Sequence, residues 1–399
     1  MRVKTTVAVA ALAALALSLP ASAYAHGKGN RSVKVGPGDS IQAAVDAADP
    51  GTTIKLEAGT YAQSVVIAKD GIRLRGAGQK KTKLVPPPNP VEGQGCVFSE
   101  GAEQIANGIC VGNLGSDTQD TVDGVKISRL SVTGYDGIGI FYLGTTGGAV
   151  TRVTASDNSE YGIFANSSSG TTIARNVTGN DGEAGVYVGD SPNAAATVWK
   201  NVSYASTFGV FIRDAAHGVV AGNKTFGNCA GILFLNTDET AAPPGEGPPG
   251  PPVDTQDWTA KHNSATANNK SCTGEGDEPP FGGIGIVVAG AADVRLLGNG
   301  VFGNVQAAGS PFGGGILVVA SDEFTPPKPS TGVTVAFNVA FGNAPADLVW
   351  DGAGAGNVFV HNRCATSQPD GLCAAGHGGG GGGAVHGNRD HHKHDKHHD

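Results

Sequence analysis

The chain lacks what a helical, a membrane-spanning or a nucleic-acid-binding protein relies on. It has a single methionine and no long amphipathic pattern beyond residue 50, which argues against a helical body. No apolar run after the N-terminus approaches the length of a membrane span, so membrane insertion is not expected. Positive charge is not in surplus: 27 Lys and Arg stand against 35 Asp and Glu, a net charge of -8. Tight binding to a phosphate backbone is therefore not expected, and nucleic acid is set aside as a partner. No Cys-x-x-Cys pair occurs among the six cysteines, which removes the commonest zinc spacing.

What is present begins with a leader. Arg2 and Lys4 precede an apolar run from Val7 to Leu19, and small residues stand at Ala23 and Ala25. This pattern reads as a secretory signal peptide over 1–25, cut before His26. Removing its two cations and no acid takes the net charge from -8 to -10. In an exported chain the cysteines are expected to form disulfides. Proximity favours Cys96 with Cys110, Cys229 with Cys272, and Cys364 with Cys373.

Sixty-three glycines punctuate the chain, and they repeat. Gly139, Gly162, Gly185, Gly209 and Gly231 are spaced by 23, 23, 24 and 22 residues, and Gly285 and Gly315 follow after 54 and 30. The two long intervals hold insertions, such as the proline-rich stretch at 240–254. Each glycine is followed by Ile or Val, and alternation then places Tyr142, Ala165, Val188, Ile212, Phe234, Val288 and Val318 on the same, core-facing side. Asn176, Asn201, Asn223, Asn299 and Asn338 recur in the same way and suggest stacked left-handed turns. A repeat of this length describes a solenoid of short strands. Its open end needs a cap, which Asp39, as the helix N-cap with Gln42 three residues on, is expected to supply, with Ile41, Ala44, Val45 and Ala48 on one face.

With these features in hand, the segment Ser40–Gly78 and the Gly-aliphatic-x-aliphatic coils to about Asn362 resemble the right-handed parallel β-helix proteins of the pectin-lyase-like superfamily. The fold this implies is all-β, a single-stranded right-handed parallel β-helix with an N-terminal capping helix. The expected organisation is signal peptide 1–25, cap 26–52, β-helix 53–375 and a Gly/His-rich tail 376–399. The superfamily spans lyases, hydrolases, epimerases, a copper-accessory group and members of unassigned role, so the fold does not name the activity. The Asp-Pro-His-Glu motif of the alginate epimerases is absent, and no Asp-rich calcium motif of the pectate lyases is matched.

The alternation that buries two columns turns a third outward, holding Phe141, Phe164, Tyr187 and Phe211, followed by Leu233. If exposed, these rings form a stacked platform for sugar, the alternative being a stripe covered by another segment. Beside it lies "GVFIRDAAHG", with Arg213 outward and Asp214 at the strand end next to Asp190 of the adjacent coil. Arg213, Asp214 and Asp190 are the candidate catalytic groups, against the plainer reading of a turn; His217 reads as a turn residue. Asp238 with Glu239, and Asp322 with Glu323, sit at one offset on two coils and form a candidate Ca²⁺ site, against solvated loop acids. No other cofactor is indicated. In the tail, His391, His392, His394, His397 and His398 are candidate ligands for Zn²⁺, Cu²⁺ or Ni²⁺. The expectation is thus an exported, monomeric β-helix that binds a polysaccharide or cell-surface glycan along an outer groove, with lyase or hydrolase activity open. The alternative is a non-catalytic extracellular scaffold or metal-handling surface protein.

Overall fold

The computed structural model describes residues 32–100, 103–114, 121–237, 253–274, 279–323 and 325–373. The leader, the Asp238–Glu239 pair and the histidine-rich tail lie outside the described residues.

Short parallel strands stack coil upon coil into three walls. In each complete coil the chain passes from the first wall (for example Thr172–Ala174) to the second (Val177–Gly179) and the third (Ala184–Ser191). The second wall is a sheet of 11 strands. The first and third merge into one sheet of 22, because Phe208–Ala221 runs through their shared corner as one strand of 14 residues. Register follows the repeat: Ile140, Ile163, Val186, Val210, Ile232, Ile286, Ile316 and Leu348 are successive partners. Upstream, Ile109 and Val65 continue the same column.

These aliphatics fill the tube, together with Tyr142, Ile212, Phe234 and Trp258. The glycines that precede them are required by close approach. A β-carbon on Gly139, Gly162, Gly209 or Gly231 would lie 2.5–2.7 Å from a carbonyl oxygen of the next coil, closer than any side chain tolerates.

Asparagine ladders hold two of the corners. Between the first and second walls, Asn176, Asn201, Asn223, Asn263, Asn299 and Asn338 each pass a side-chain N–H to the next Oδ1 at 3.0–3.1 Å, the last of these acceptors being Asn362. The left-handed conformation sits one residue earlier than the sequence suggests, at Arg175, Lys200, His262, Phe337 and His361. Each asparagine itself points inward and spans the coils. A second ladder between the second and third walls runs Asn158, Asp181, Ser206, Asn228, Asn268, Asn304 and Asn343.

The ends differ in detail from expectation. The helix Ile41–Asp46 caps the tube and buries Ile41 and Val45, but its N-cap is Ser40, whose hydroxyl accepts from the Ala43 N–H. Asp39 instead closes a turn by accepting from the Gly36 N–H, and Gln42 reaches across to both backbone groups of Val66. The first rung also starts before the helix, since Ser32–Val35 pairs with Thr53–Leu56. All three disulfides form as spacing favours, with Cα separations of 5.7, 6.0 and 5.4 Å.

Candidate functional site

The aromatic column lies on the outer face of the third wall, as its alternation requires. Phe141, Phe164, Tyr187, Phe211 and Leu233 pair in register, while the residues on either side of each face the tube. Ring centroids are 5.1, 4.2 and 4.7 Å apart down the column, with interplanar angles of 21°, 2° and 18°.

The exposed platform does not exist, however. Phe164, Tyr187 and Phe211 are 7%, 2% and 3% exposed. Two causes combine. At coil spacing each ring covers its neighbour's face, leaving no room for a sugar ring between them. Residues that open the same strands or precede them then fold over the edges: Tyr161 lies 4.9 Å from Phe164 and 5.0 Å from Tyr187, Phe208 lies 4.6 Å from Phe211, and Phe281 covers Phe208. With Ala184, Ile284, Val287 and Leu317 this makes a second hydrophobic core outside the tube. Phe141, half-buried at one end, is the most open member of the column.

A polar edge borders this core. The column two residues further on holds Leu143, Asn166, Gly189, Arg213 and Leu235. The Tyr187 side chain lies over Gly189, where a β-carbon would be 2.5 Å from its hydroxyl, so the phenol reaches the level of Asn166 and Arg213. Burial raises the Tyr187 pKa well above the usual phenol range, the charge of Arg213 opposing it in part. The group is a protonated donor at neutral pH.

Arg213, Asp214 and Asp190 are indeed gathered here. Arg213 Nε donates to Asp214 Oδ2 at 3.2 Å, and Asn166 Nδ2 donates to Asp190 Oδ2 at 2.7 Å. Both aspartates adopt left-handed φ near 48°. Asp214 also accepts from the Thr237 N–H at 2.8 Å and from the Thr237 hydroxyl. Its pKa is raised by burial, against the lowering effect of Thr237 and Arg213. Asp214 therefore anchors the start of the insertion after Asn236, which is the turn role. His217 is also a bend residue, with φ 65° and its Nδ1 3.3 Å from Asp257 Oδ2 on the surface.

The acidic pairs are not assembled into a metal site among the described residues. Asp322 and Glu323 are exposed, Asp238 and Glu239 fall outside the described residues, and no described group of three His, Cys, Asp or Glu side chains is placed to hold an ion. The tail histidines likewise fall outside them. Insertions border the third wall on both sides: Cys272 bridges Phe281 on one, and Ser321 bridges Lys328 on the other, where Lys328 pairs with Asp254. Sequence reading missed one feature of the opposite side, a run of cations that each stand next to the first asparagine ladder or its upstream continuation: Arg129, Arg152, Arg175 and Lys200.

A family model described as "Right handed beta helix region" matches residues 69–242 and 137–326, which together cover more than half of the chain. The chain belongs to the right-handed β-helix family. Among solved β-helices, it is similar to the A-module of the mannuronan C-5 epimerase AlgE4 of Azotobacter vinelandii, at 18% identity over 82% of this chain and 91% of that one, TM-score 0.55. It is also similar to a PL6 alginate lyase solved with a trisaccharide, at 13% identity over 84% and 80% of the two chains, TM-score 0.53. At these identities the likeness is one of fold. No curated protein matches the chain significantly in sequence.

Proposed function

We propose that this β-helix is an exported polysaccharide-binding protein, and that an acidic glycan lies in the trough over the outer face of the third wall. The observation that carries the reading is the grouping of Asn166, Asp190, Arg213 and the Tyr187 hydroxyl on three successive coils, on the wall that insertions flank. Arg213 is the group suited to a sugar carboxylate, and the dry aromatic core beneath keeps the polar edge rigid. Solved proteins of similar fold include an alginate epimerase and an alginate lyase, which supports a uronate-containing ligand. Three disulfides and the N-terminal leader support an oxidising, extracytoplasmic location. Binding is favoured over turnover, because Asp214 is committed to Thr237 and Arg213.

The test is to incubate the mature protein with alginate, polygalacturonate and neutral glucans, with and without Ca²⁺, following retention by affinity electrophoresis and new chain ends chemically. Retention by the acidic polymers without new ends, weakened in Arg213→Ala, is the expected result. New unsaturated or reducing ends would instead establish a lyase or hydrolase. No retention by any acidic glycan would leave the scaffold reading.

A further inference from the structure

The corner between the first and second walls carries a charge pattern at odds with an acidic protein. Arg129, Arg152, Arg175 and Lys200 occupy one position on four successive coils, each N–H donating to a carbonyl of the next coil. All four side chains are exposed, and parallel coils set them about 4.8 Å apart. Among the described residues no carboxylate forms an ion pair with any of them. Like charges so aligned repel one another in the free protein.

The backbone makes the choice of residue more telling. These positions have φ of 61°, 54°, 59° and 53°, a left-handed conformation that residues with a β-carbon adopt under strain. Later coils place Gly222, His262, Gly298, Phe337 and His361 at the same corner, so glycine and aromatic residues fit the geometry and the turn itself asks for no row of cations. Four cations in succession therefore serve something other than the turn. The left-handed residues of the second-to-third corner carry no cation: they are Gly134, Asp157, Asn180, Ala205, Gly227, Ala267, Gly303 and Gly342.

Trp199 completes the pattern. It projects outward between Ala174 and Ala221 of the adjacent coils, half-buried. The Arg175 guanidinium lies 4.8 Å from its ring centroid and the Lys200 ammonium 4.5 Å. The indole thus holds two of the four charges in place before any ligand arrives. The adjoining outward positions of the second wall, Thr154, Val177, Val202 and Lys224, include no carboxylate. On the first wall the outward column continues towards the N-terminus as Arg75, Lys55 and Lys34.

We infer that this corner is an electrostatic ridge for a linear acidic polysaccharide lying parallel to the solenoid axis, on a different corner from the trough and independent of it. One charge per coil makes a continuous row of cations about 4.8 Å apart, so a linear polymer with a carboxylate on every sugar meets a cation wherever a carboxylate turns towards the ridge. A nucleic acid is disfavoured as the occupant by the net charge of -8 on the chain as a whole.

The experiment compares the full chain carrying Arg213→Ala, which disables the trough, with the same chain carrying in addition the triple change Arg129→Gly, Arg152→Gly, Arg175→Gly. Glycine relieves the left-handed strain, so the variant keeps or raises the thermal midpoint. Its affinity for long-chain polygalacturonate falls by at least about tenfold, with a shallower salt dependence. Arg152→Lys retains binding, and wild-type affinity rises with oligogalacturonate length until the ligand spans four coils. Arg213→Ala distinguishes the two surfaces, because it leaves ridge binding of the long polymer in place. Three results would overturn the ridge: unchanged affinity in the triple variant; loss of all long-polymer binding in Arg213→Ala; or single-stranded DNA of equal charge competing as well as the polyuronate through the same arginines.

Discussion

The side-chain amide of Asn158 donates to Oδ1 of Asp181 at 2.9 Å, its backbone N–H to the same oxygen at 3.2 Å, and Oδ2 of Asp181 has no partner. Asp181 thus fills an asparagine's place in the second ladder, 1% exposed. Burial lifts its pKa to about 8, against hydrogen bonds from Asn158 that lower it. The native state therefore binds a proton that the unfolded chain releases near pH 3.8, and stability falls as pH rises through the window between the two values. Asp181→Asn removes this dependence. Denaturant titrations should find the variant more stable by an amount that grows by up to about 1.4 kcal/mol per pH unit from pH 4 towards 8 and is flat above. A gap that does not widen with pH would show the carboxyl to be ionised in the ladder.

Phe211 and Ile212 face opposite ways, yet both are buried, at 3% and 0% exposure. Phe211→Ala should cost about 3–5 kcal/mol and Ile212→Ala about 2–5 kcal/mol, read from urea midpoints at constant m-value. A Phe211→Ala variant as stable as wild type would mean that the outer core contributes nothing.

Gly218 lies against the six-membered ring of Trp258, and a β-carbon there would overlap it. Trp258 is fully buried, with its indole N–H donating to the Ala215 carbonyl at 2.7 Å. Gly218→Ala should destabilise by about 1–3 kcal/mol through overpacking and shift the tryptophan emission. Combining it with Trp258→Phe should recover part of the packing loss while losing the hydrogen bond. Additive losses in the double variant would show that the two sites do not touch energetically.

Asn223 sits mid-ladder: it accepts from Asn201, and its Nδ2 reaches both the Val198 carbonyl and Asn263. Asn223→Ala leaves several buried groups unsatisfied and should cost at least about 2 kcal/mol. Hydrogen exchange should localise the loosening to the coils at Asn201 and Asn263. Uniform exchange across the solenoid would argue against nearest-neighbour coupling.

The repeat was legible because a glycine before a buried aliphatic is forced by backbone contact, as at Gly139 and Gly162. It leaves the same trace in every coil. Asn263 escaped notice because an insertion stretches its interval from Asn223 to 40 residues, and the second ladder was hidden because Asp181 and Ser206 replace asparagine in it. The outward direction of Tyr187 and Phe211 was readable from alternation, but their burial was not. It depends on Tyr161, Phe208 and Phe281 folding back from the preceding turns, which no local pattern encodes. Asp39 and Ser40 are both good caps, and only the position of the Ala43 N–H decides between them. The cationic corner was visible in "ARNV" and "WKNV", in the residue before each asparagine rather than in the asparagine itself.

Strand pairing joins each described coil to the one before it and the one after it, and the Cys96–Cys110 and Cys364–Cys373 bridges each join cysteines close in sequence, 14 and 9 residues apart. The molecule is therefore built like a stack of interchangeable courses rather than around a keystone. Excising residues 163–185 would bring Ile140 beside Val186, one branched aliphatic beside another, with a glycine before each. Length along the axis can be edited one course at a time, and each edit removes one rung from every vertical row at once.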